Sequence, residues 1–216
     1  MKTEAIIFAR PPIPGRVKSR LAHSLGPMAA ARLYRALLDH VLAEALAARL
    51  PLTLALTEPL GDLADWRPPE GVNVELQVEG DLGTRMNSAF QRHFDAGAGV
   101  VVLIGSDIPG LTGAVLRQAI AALTRVPVVL GPGADGGYWL VGQRSPGFDL
   151  FSGVPWSSSE TLAATRARLD QLHLHWEELD VLRDIDTAAD LTASLAEADE
   201  VLRRQIAAAL TLDSRR

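Results

Sequence analysis

The chain has 216 residues, 48% hydrophobic and 22% charged, which supplies apolar material for one substantial core and predicts a single domain over 1–216. A net charge of -5 leaves no broad basic surface for nucleic acid, so a phosphate-bearing ligand must be met by a few local cations and a small-molecule substrate is favoured. The absence of cysteine excludes disulfides, thiolate zinc sites and a cysteine nucleophile together.

Lys2 and Glu4 precede only the short apolar run AIIFA, and no stretch reaches membrane-spanning length, so a cytoplasmic protein without a membrane span is expected. AIIFAR (5–10) has strand length and composition. The loop after it, residues 9–22, carries Arg10, Arg16, Lys18 and Arg20, four cations within eleven residues, on a path stiffened by prolines and Gly15. Cations at the carboxyl end of a strand, leading towards a helix, suit nucleotide phosphates by charge and by hydrogen-bond fork; a solvated basic turn is the plainer alternative. The Gly-Lys-Ser/Thr ending of a Walker loop is missing. In residues 28–50, Leu33, Leu37, Val41 and Ala45 recur every fourth position while Arg32, Arg35, Asp39 and Glu44 lie off that line, which predicts an amphipathic helix. LTLALT (52–57) and VNVELQV (72–78) follow as strands, then a helix over 82–96 with Arg85 near its start, where an anion could bind or the arginine could simply be exposed.

VVVLIG (100–105) is too short for a helix and reads as a strand buried on both faces. It delivers Asp107 to its end, and Pro109 and Gly110 then stop the ladder. Open α/β sheets bind ligands outside the carboxyl ends of their strands, so Asp107 is a site candidate, whereas Thr112 is the better placed cap for a helix over 112–124. PVVLG (127–131) and YWLVGQR (138–144) are strands flanking GPGADGG (131–137). That segment has the G-x-G-x-x-G spacing, but a strand follows it, so no helix N-terminus is offered to a pyrophosphate. Asp135, Gly136 and Gly137 are instead expected in a tight loop whose main-chain N–H groups a substrate reaches, with a plain hairpin turn as the alternative.

FSGVPWSSSETL (151–162) sets Trp156, which walls an acceptor pocket or belongs to the core, before a helix over 159–172 capped by Ser158 or Ser159. His173 and His175 lack a third ligand and read as an exposed face of a short strand over 174–179. DIDTAADL (184–191) then offers Asp184 and Asp186, two residues apart in an extended segment, so both carboxylates could face one ion. Magnesium commonly takes one or two carboxylates plus substrate phosphates, so Asp107 with one of this pair would suffice, and Asp186 or Thr187 would cap the final Ala-rich helix. The tail, 211–216, is expected to fray. Strands alternating with helices predict a three-layer α/β/α arrangement around a mostly parallel central sheet.

FARPPIPGRVKSRLA, GDLGTRM, GSDIPGL, GADGGYWLVG, the Trp156 segment and DIDTAADL together resemble a family of bacterial proteins grouped with nucleotide-diphospho-sugar transferases of the GT-A glycosyltransferase fold. The resemblance runs from the first strand to the DIDTAADL helix. It implies a GT-A nucleotide site with Mg²⁺ or Mn²⁺, Asp107 as metal carboxylate and Asp184 or Asp186 as its partner. The Lys18-Ser19-Arg20-Leu21 run is similar to the phosphate loop of guanylyltransferases that activate phospholactate or phosphoenolpyruvate. Two departures stand out: the Asp-x-Asp of many glycosyltransferases is here Ser106-Asp107-Ile108, and the Gly-Gly-x-x-x-Arg-Met-Gly opening of many sugar nucleotidyltransferases is replaced by the proline-rich loop.

The expected function is transfer from a nucleotide-diphospho-sugar to a small-molecule acceptor. Arg10, Arg16, Lys18, Arg20 and Arg85 would hold the nucleotide, Asp107 and Lys18 would act in catalysis, and Asp135, Gly136, Gly137 and Trp156 would lie at the acceptor. A nucleotidyltransferase coupling a nucleoside triphosphate to a phosphorylated small molecule is the alternative, and a nucleotide sensor without turnover is a third reading.

Overall fold

The computed structural model describes residues 1–61, 66–144, 148–197 and 200–211. Seven strands form one sheet in the order β3-β2-β1-β4-β6-β5-β7: β1 (Thr3–Ala9), β2 (Leu52–Leu56), β3 (Val72–Leu76), β4 (Val100–Ile104), β5 (Val128–Pro132), β6 (Tyr138–Arg144) and β7 (Trp176–Glu178). β1 pairs in parallel with β2 and β4, and β2 with β3. β6 runs antiparallel to both β4 and β5, while β5 and β7 are parallel. The three-layer α/β arrangement with a mostly parallel sheet is therefore present, with one reversed strand that the alternation of elements did not reveal. Its cause is local: the loop between β5 and β6 is too short for a crossover, and only antiparallel strands are joined so tightly.

Helices cover both faces of the sheet. α2 (Pro27–Ala47) and α4 (Gly113–Ala122) pack on one side, where Tyr34, Leu38, Val41 and Leu42 meet Ala5, Ile7, Leu54, Val102 and Ile104. α3 (Leu82–Asp95) and α5 (Thr161–Gln171) cover the other, with Met86, Phe90, Phe94, Leu162 and Leu169 against Ile6, Val101, Leu103 and Val141. Side chains of a strand alternate between faces, so β1 and β4 are apolar on both sides and each near-continuous hydrophobic run is accounted for.

α2 is buried on two sides. Leu33 and Leu37 turn away from the sheet and pack with Leu21 of α1 (Ser19–Leu25), Leu191 of α6 (Ala188–Glu197) and Leu202 and Ile206 of α7 (Glu200–Thr211). Two points differ from expectation: the short helix α1 lies inside the basic loop, and the single final helix is two, α6 and α7. Thr187 and Asp190 cap α6 reciprocally: the Asp190 N–H donates to Thr187 Oγ1 at 3.2 Å, and the Thr187 N–H donates to Asp190 Oδ2 at 2.8 Å. The Val115 N–H likewise donates to Thr112 Oγ1 at 3.2 Å, so Thr112 caps α4 as expected. Of the tail expected to fray, Thr211 closes α7 and residues 212–216 lie outside those described. No helix among the described residues is long and apolar enough to cross a membrane.

Gly142 shows how closely the sheet and α4 approach. A Cβ built there would lie 2.9 Å from Leu123 Cδ1 and 3.1 Å from Val102 Cγ1, both buried. Gly142→Val is expected to destabilise by about 1–3 kcal/mol through overpacking, read as a lower denaturant midpoint at unchanged slope.

Candidate active site

A cleft of about 860 Å³ opens at the carboxyl ends of β1 to β4. The chain leaves β1 towards β2 and leaves β4 towards β5 and β6, so the loops after β1 and β4 part at this boundary, where open α/β sheets place ligands. Lys18 comes from the first loop and Asp107 from the second, and the two meet across the gap as an ion pair. The Lys18 side chain is only 7% exposed and Asp107 21%, and Asp186 Oδ1 lies 3.8 Å from the same ammonium. Burial alone would lower the Lys18 pKa, but the Asp107 carboxylate, assisted by Asp184 and Asp186, outweighs it and holds the ammonium above its ordinary value. Lys18 also sits at φ 51°, a left-handed conformation that side-chain-bearing residues rarely adopt, where its carbonyl accepts from the Ala22 N–H at 2.8 Å.

Tyr34 of α2 braces this arrangement from beneath. Its hydroxyl accepts from the Arg10 N–H at 3.0 Å, lies 3.2 Å from the Arg10 carbonyl oxygen and shares a hydrogen bond with Ser106 Oγ at 2.9 Å. One phenol thus ties the loop after β1 to the loop after β4, one residue before Asp107. Burial, then the Asp107 charge, push its pKa up to about 12, so the hydroxyl stays protonated and available as a donor.

The predicted residues divide cleanly. Arg10, Arg16, Lys18, Arg85, Asp107 and Asp186 line the cleft together. Arg16 pairs with Glu58 at 2.6 Å, and Arg85 Nε donates to the Gly80 carbonyl at 2.8 Å. Arg20 is 76% exposed, lies outside the lining and reaches Asp186 at 3.2 Å. Asp184 sits behind the lining. Burial and the Asp107 charge, reinforced by Asp135, push its carboxyl up to about 6, with Lys18 pulling partly the other way. Thr187 takes the capping role, which leaves both aspartates free of it.

Asp135, Gly136 and Gly137 take the form of the plainer alternative, a hairpin turn, and stand outside the cleft. The segment is a hairpin loop between β5 and β6, and four of its N–H groups are engaged within the protein: Gly133 donates to the Gly137 carbonyl at 2.9 Å, Ala134 to the Leu182 carbonyl at 3.1 Å, Gly136 to the Gly133 carbonyl at 3.3 Å, and Gly137 to Asp135 Oδ1 at 2.9 Å. Gly136 packs on the α5 entry, where its carbonyl accepts from the Leu162 N–H at 2.8 Å; none of Asp135, Gly136 and Gly137 lines the cleft. Trp156 lies against Gly83, edge-on to Tyr138 at 6.4 Å, and walls a neighbouring groove that shares Asp81 with the cleft. His173 and His175 are exposed, as expected. The residues that sequence reasoning missed are Tyr34, Ser106, Thr57, Glu58, Gln77 and Asp81, all in the lining. A tyrosine on the buried face of a helix was the available signal, since its hydroxyl needs a partner.

Among the described residues no three His, Cys, Asp or Glu side chains are grouped so as to hold a metal ion by themselves. Asp107 and Asp186 do supply two hard-oxygen carboxylates on either side of one position, now held by the Lys18 ammonium. Two carboxylates completed by substrate phosphates and water fit the habits of Mg²⁺.

A family described as "Uncharacterized protein conserved in bacteria (DUF2064)" matches residues 38–158. Among solved structures, a candidate nucleotide-diphospho-sugar transferase from Desulfovibrio desulfuricans G20 is 30% identical with a TM-score of 0.85, the match covering 97% of each chain. Rv0371C of Mycobacterium tuberculosis H37Rv, in complex with manganese, is 20% identical with a TM-score of 0.59, covering 91% of this chain and 98% of that one. CMP:2-keto-3-deoxy-manno-octonic acid synthetase complexed with CTP is 15% identical with a TM-score of 0.58, again covering 91% and 98%. No curated protein matches the chain.

Two predictions follow from the site's surroundings. The Asp184 carboxyl holds its proton more tightly in the folded chain than at its reference value of 3.8, so it favours folding below about pH 4 and loses that advantage as pH rises through about 6. Asp184→Asn should match the wild type at about pH 4 and exceed it by about 1–2 kcal/mol at about pH 8 in metal-free buffer; equal stability at both pH values would show that Asp184 is not repelled in the folded state. Gly136 has φ +87°, and a Cβ there would lie 2.2 Å from the Ser159 carbonyl oxygen. Gly136→Ala should therefore cost about 3 kcal/mol of stability, seen as a lower melting temperature without any ligand.

Proposed function

The chain belongs to the bacterial DUF2064 family, and from its likeness to the 30% identical candidate nucleotide-diphospho-sugar transferase structure together with its cleft we propose that it is a transferase acting on a nucleotide-activated substrate with a divalent cation, Mg²⁺ or Mn²⁺. The observation that carries the reading is the convergence of Lys18, Asp107 and Asp186 where the loops after β1 and β4 part, in a cleft also lined by Arg10, Arg16 and Arg85. A cation held by Asp107 and Asp186 would neutralise charge building on the leaving phosphates. Lys18 and Arg16 exchange their carboxylate partners for phosphate oxygens, and Arg10 and Arg85 hold the remainder of the nucleotide. Tyr34 keeps both loops in register through Arg10 and Ser106.

Glycosyl transfer is the first reading, supported by the name of the 30% identical protein from Desulfovibrio desulfuricans G20. An acceptor hydroxyl oxygen bonds to the anomeric carbon and gives up its proton to solvent, the bond from that carbon to the diphosphate oxygen breaks, and its electron pair leaves with the nucleoside diphosphate. The acceptor lies towards Ser157, which lines the cleft beside Trp156. A second reading, nucleotidyl transfer with release of pyrophosphate, is favoured by the Lys18-Ser19-Arg20-Leu21 run and by the shared fold of the synthetase complexed with CTP.

Thermal-shift measurements with nucleoside triphosphates and nucleotide sugars, with and without MgCl₂, test the common core of both readings. A ligand at a hundred times its Kd adds about 2.7 kcal/mol, or roughly 5–10 °C for a chain of this size. No magnesium-dependent shift from any nucleotide would remove the proposal. Product analysis then separates the readings: nucleoside diphosphate from the first, pyrophosphate from the second. Asp107→Asn should abolish the magnesium-dependent shift and also lower the ligand-free stability by about 1–3 kcal/mol, because it leaves the Lys18 ammonium buried with a weaker partner. Adding Lys18→Met to that variant should recover much of the stability but none of the nucleotide response.

A further inference from the structure

We propose that Lys18 is an internal cation of the free protein, occupying the place that a divalent metal takes when nucleotide arrives, so that metal and nucleotide load together. The inference rests on the assignment of Asp107 and Asp186 as the metal carboxylates. The Lys18 ammonium pairs directly with Asp107 and lies 3.8 Å from Asp186 Oδ1, which puts it between the two acids that would hold the ion. Its side chain is 7% exposed, so it is a resident of the site rather than a surface cation passing over it. Asp186 also serves Arg20 at 3.2 Å.

A divalent ion entering this position meets a positive charge at contact distance in a partly buried setting, where like charges repel strongly. Metal alone must therefore displace an ammonium from its carboxylate partners with no phosphate to receive it, and binds weakly. A nucleotide changes the balance because its phosphates give Lys18 a new partner, and a lysine ammonium on a flexible four-carbon stem reorients readily. The released carboxylates then accept the metal. By linkage, nucleotide strengthens metal binding by the same factor that metal strengthens nucleotide binding. A lysine that only contacts phosphate, by contrast, leaves metal affinity in the absence of nucleotide unchanged when it is removed.

The deciding experiment titrates MnCl₂ alone into the full chain and follows free Mn²⁺ by electron paramagnetic resonance, with the melting temperature of every variant recorded. Lys18→Met is expected to bind Mn²⁺ about tenfold more tightly or better than the wild type, since it removes the competing charge while keeping the stem. Lys18→Arg, which keeps the charge, should stay near the wild type. Lys18→Met/Asp107→Asn should lose the gain, which fixes the ion at this cluster. Lys18→Gln gives a second neutral variant should Lys18→Met fail to fold. Neutral variants that bind Mn²⁺ no more tightly than the wild type overturn the proposal, as does a gain that survives Asp107→Asn. A gain that depends on Asp107, in a protein whose wild type turns over no nucleotide, upholds the cation exchange and removes the transferase reading alone.

Discussion

The ion pair between Lys18 and Asp107 joins the two loops that the sheet order drives apart. β1 and β4 are parallel neighbours, yet the chain leaves them in opposite directions, so their carboxyl ends open a crevice that main-chain hydrogen bonds do not close. A buried ammonium against a carboxylate bridges it instead, with the Tyr34 hydroxyl tying Arg10 to Ser106 directly beneath. Breaking such a pair by removing one partner is costly because the other charge stays desolvated. The cleft's shape therefore depends on the same residues that its chemistry would use. Lys18 at φ 51° is consistent with this: a strained backbone persists where the surroundings over-determine it.

The acids behind the pair are placed by secondary structure of a different kind. Leu182 is stitched to the β5–β6 hairpin, its N–H donating to the Pro132 carbonyl at 3.1 Å and its carbonyl accepting from Ala134 at 3.1 Å. The capping of α6 by Thr187 and Asp190 fixes the other end of the segment. Asp184 and Asp186 are thus held between two anchored points, with Ile185 buried between them in the helical layer. The glycines of the hairpin contribute by allowing close approach: Gly136 seats the loop on Ser159, which keeps Leu182, and with it Asp184, in register with the sheet. Their role is support at a distance from the cleft.

Much of this was legible in the sequence because β2 and β4 are nearly pure Val, Leu, Ile and Ala, and such runs have few other conformations available. Each expected strand is present to within a few residues, and Asp107 stands beyond the end of β4 as its Ile-Pro-Gly ending implied. The basic loop could be seen to gather cations, but not which of them turn inward: Arg20 faces solvent while Lys18, two residues earlier, is buried. That difference comes from the left-handed turn at Lys18 and from α1, a single short helix whose buried Leu21 docks on Leu33 and Leu37. Both are tertiary effects with no local periodicity to betray them. The glycine-rich hairpin is ambiguous in sequence for a related reason. Glycine marks close approach without saying whether a ligand or the chain itself approaches, and here it is the chain.

Three of the four cations that line the cleft already have a partner within the protein. Arg16 is held by Glu58, Lys18 by Asp107, and Arg85 by the Gly80 carbonyl, while Arg20 at the edge serves Asp186. Nucleotide binding in such a site is an exchange of partners, and its free energy is a difference between two paired states rather than the gain from filling an electropositive hole. That difference is small for an anion arriving alone, because each carboxylate it displaces is left beside it as an uncompensated like charge. It becomes favourable when a divalent cation accompanies the phosphates and neutralises the acids that the lysine and arginines release. On the proposed reading, a protein of net charge -5 would thereby bind a polyanion without a basic surface and would discriminate against phosphates that arrive without metal.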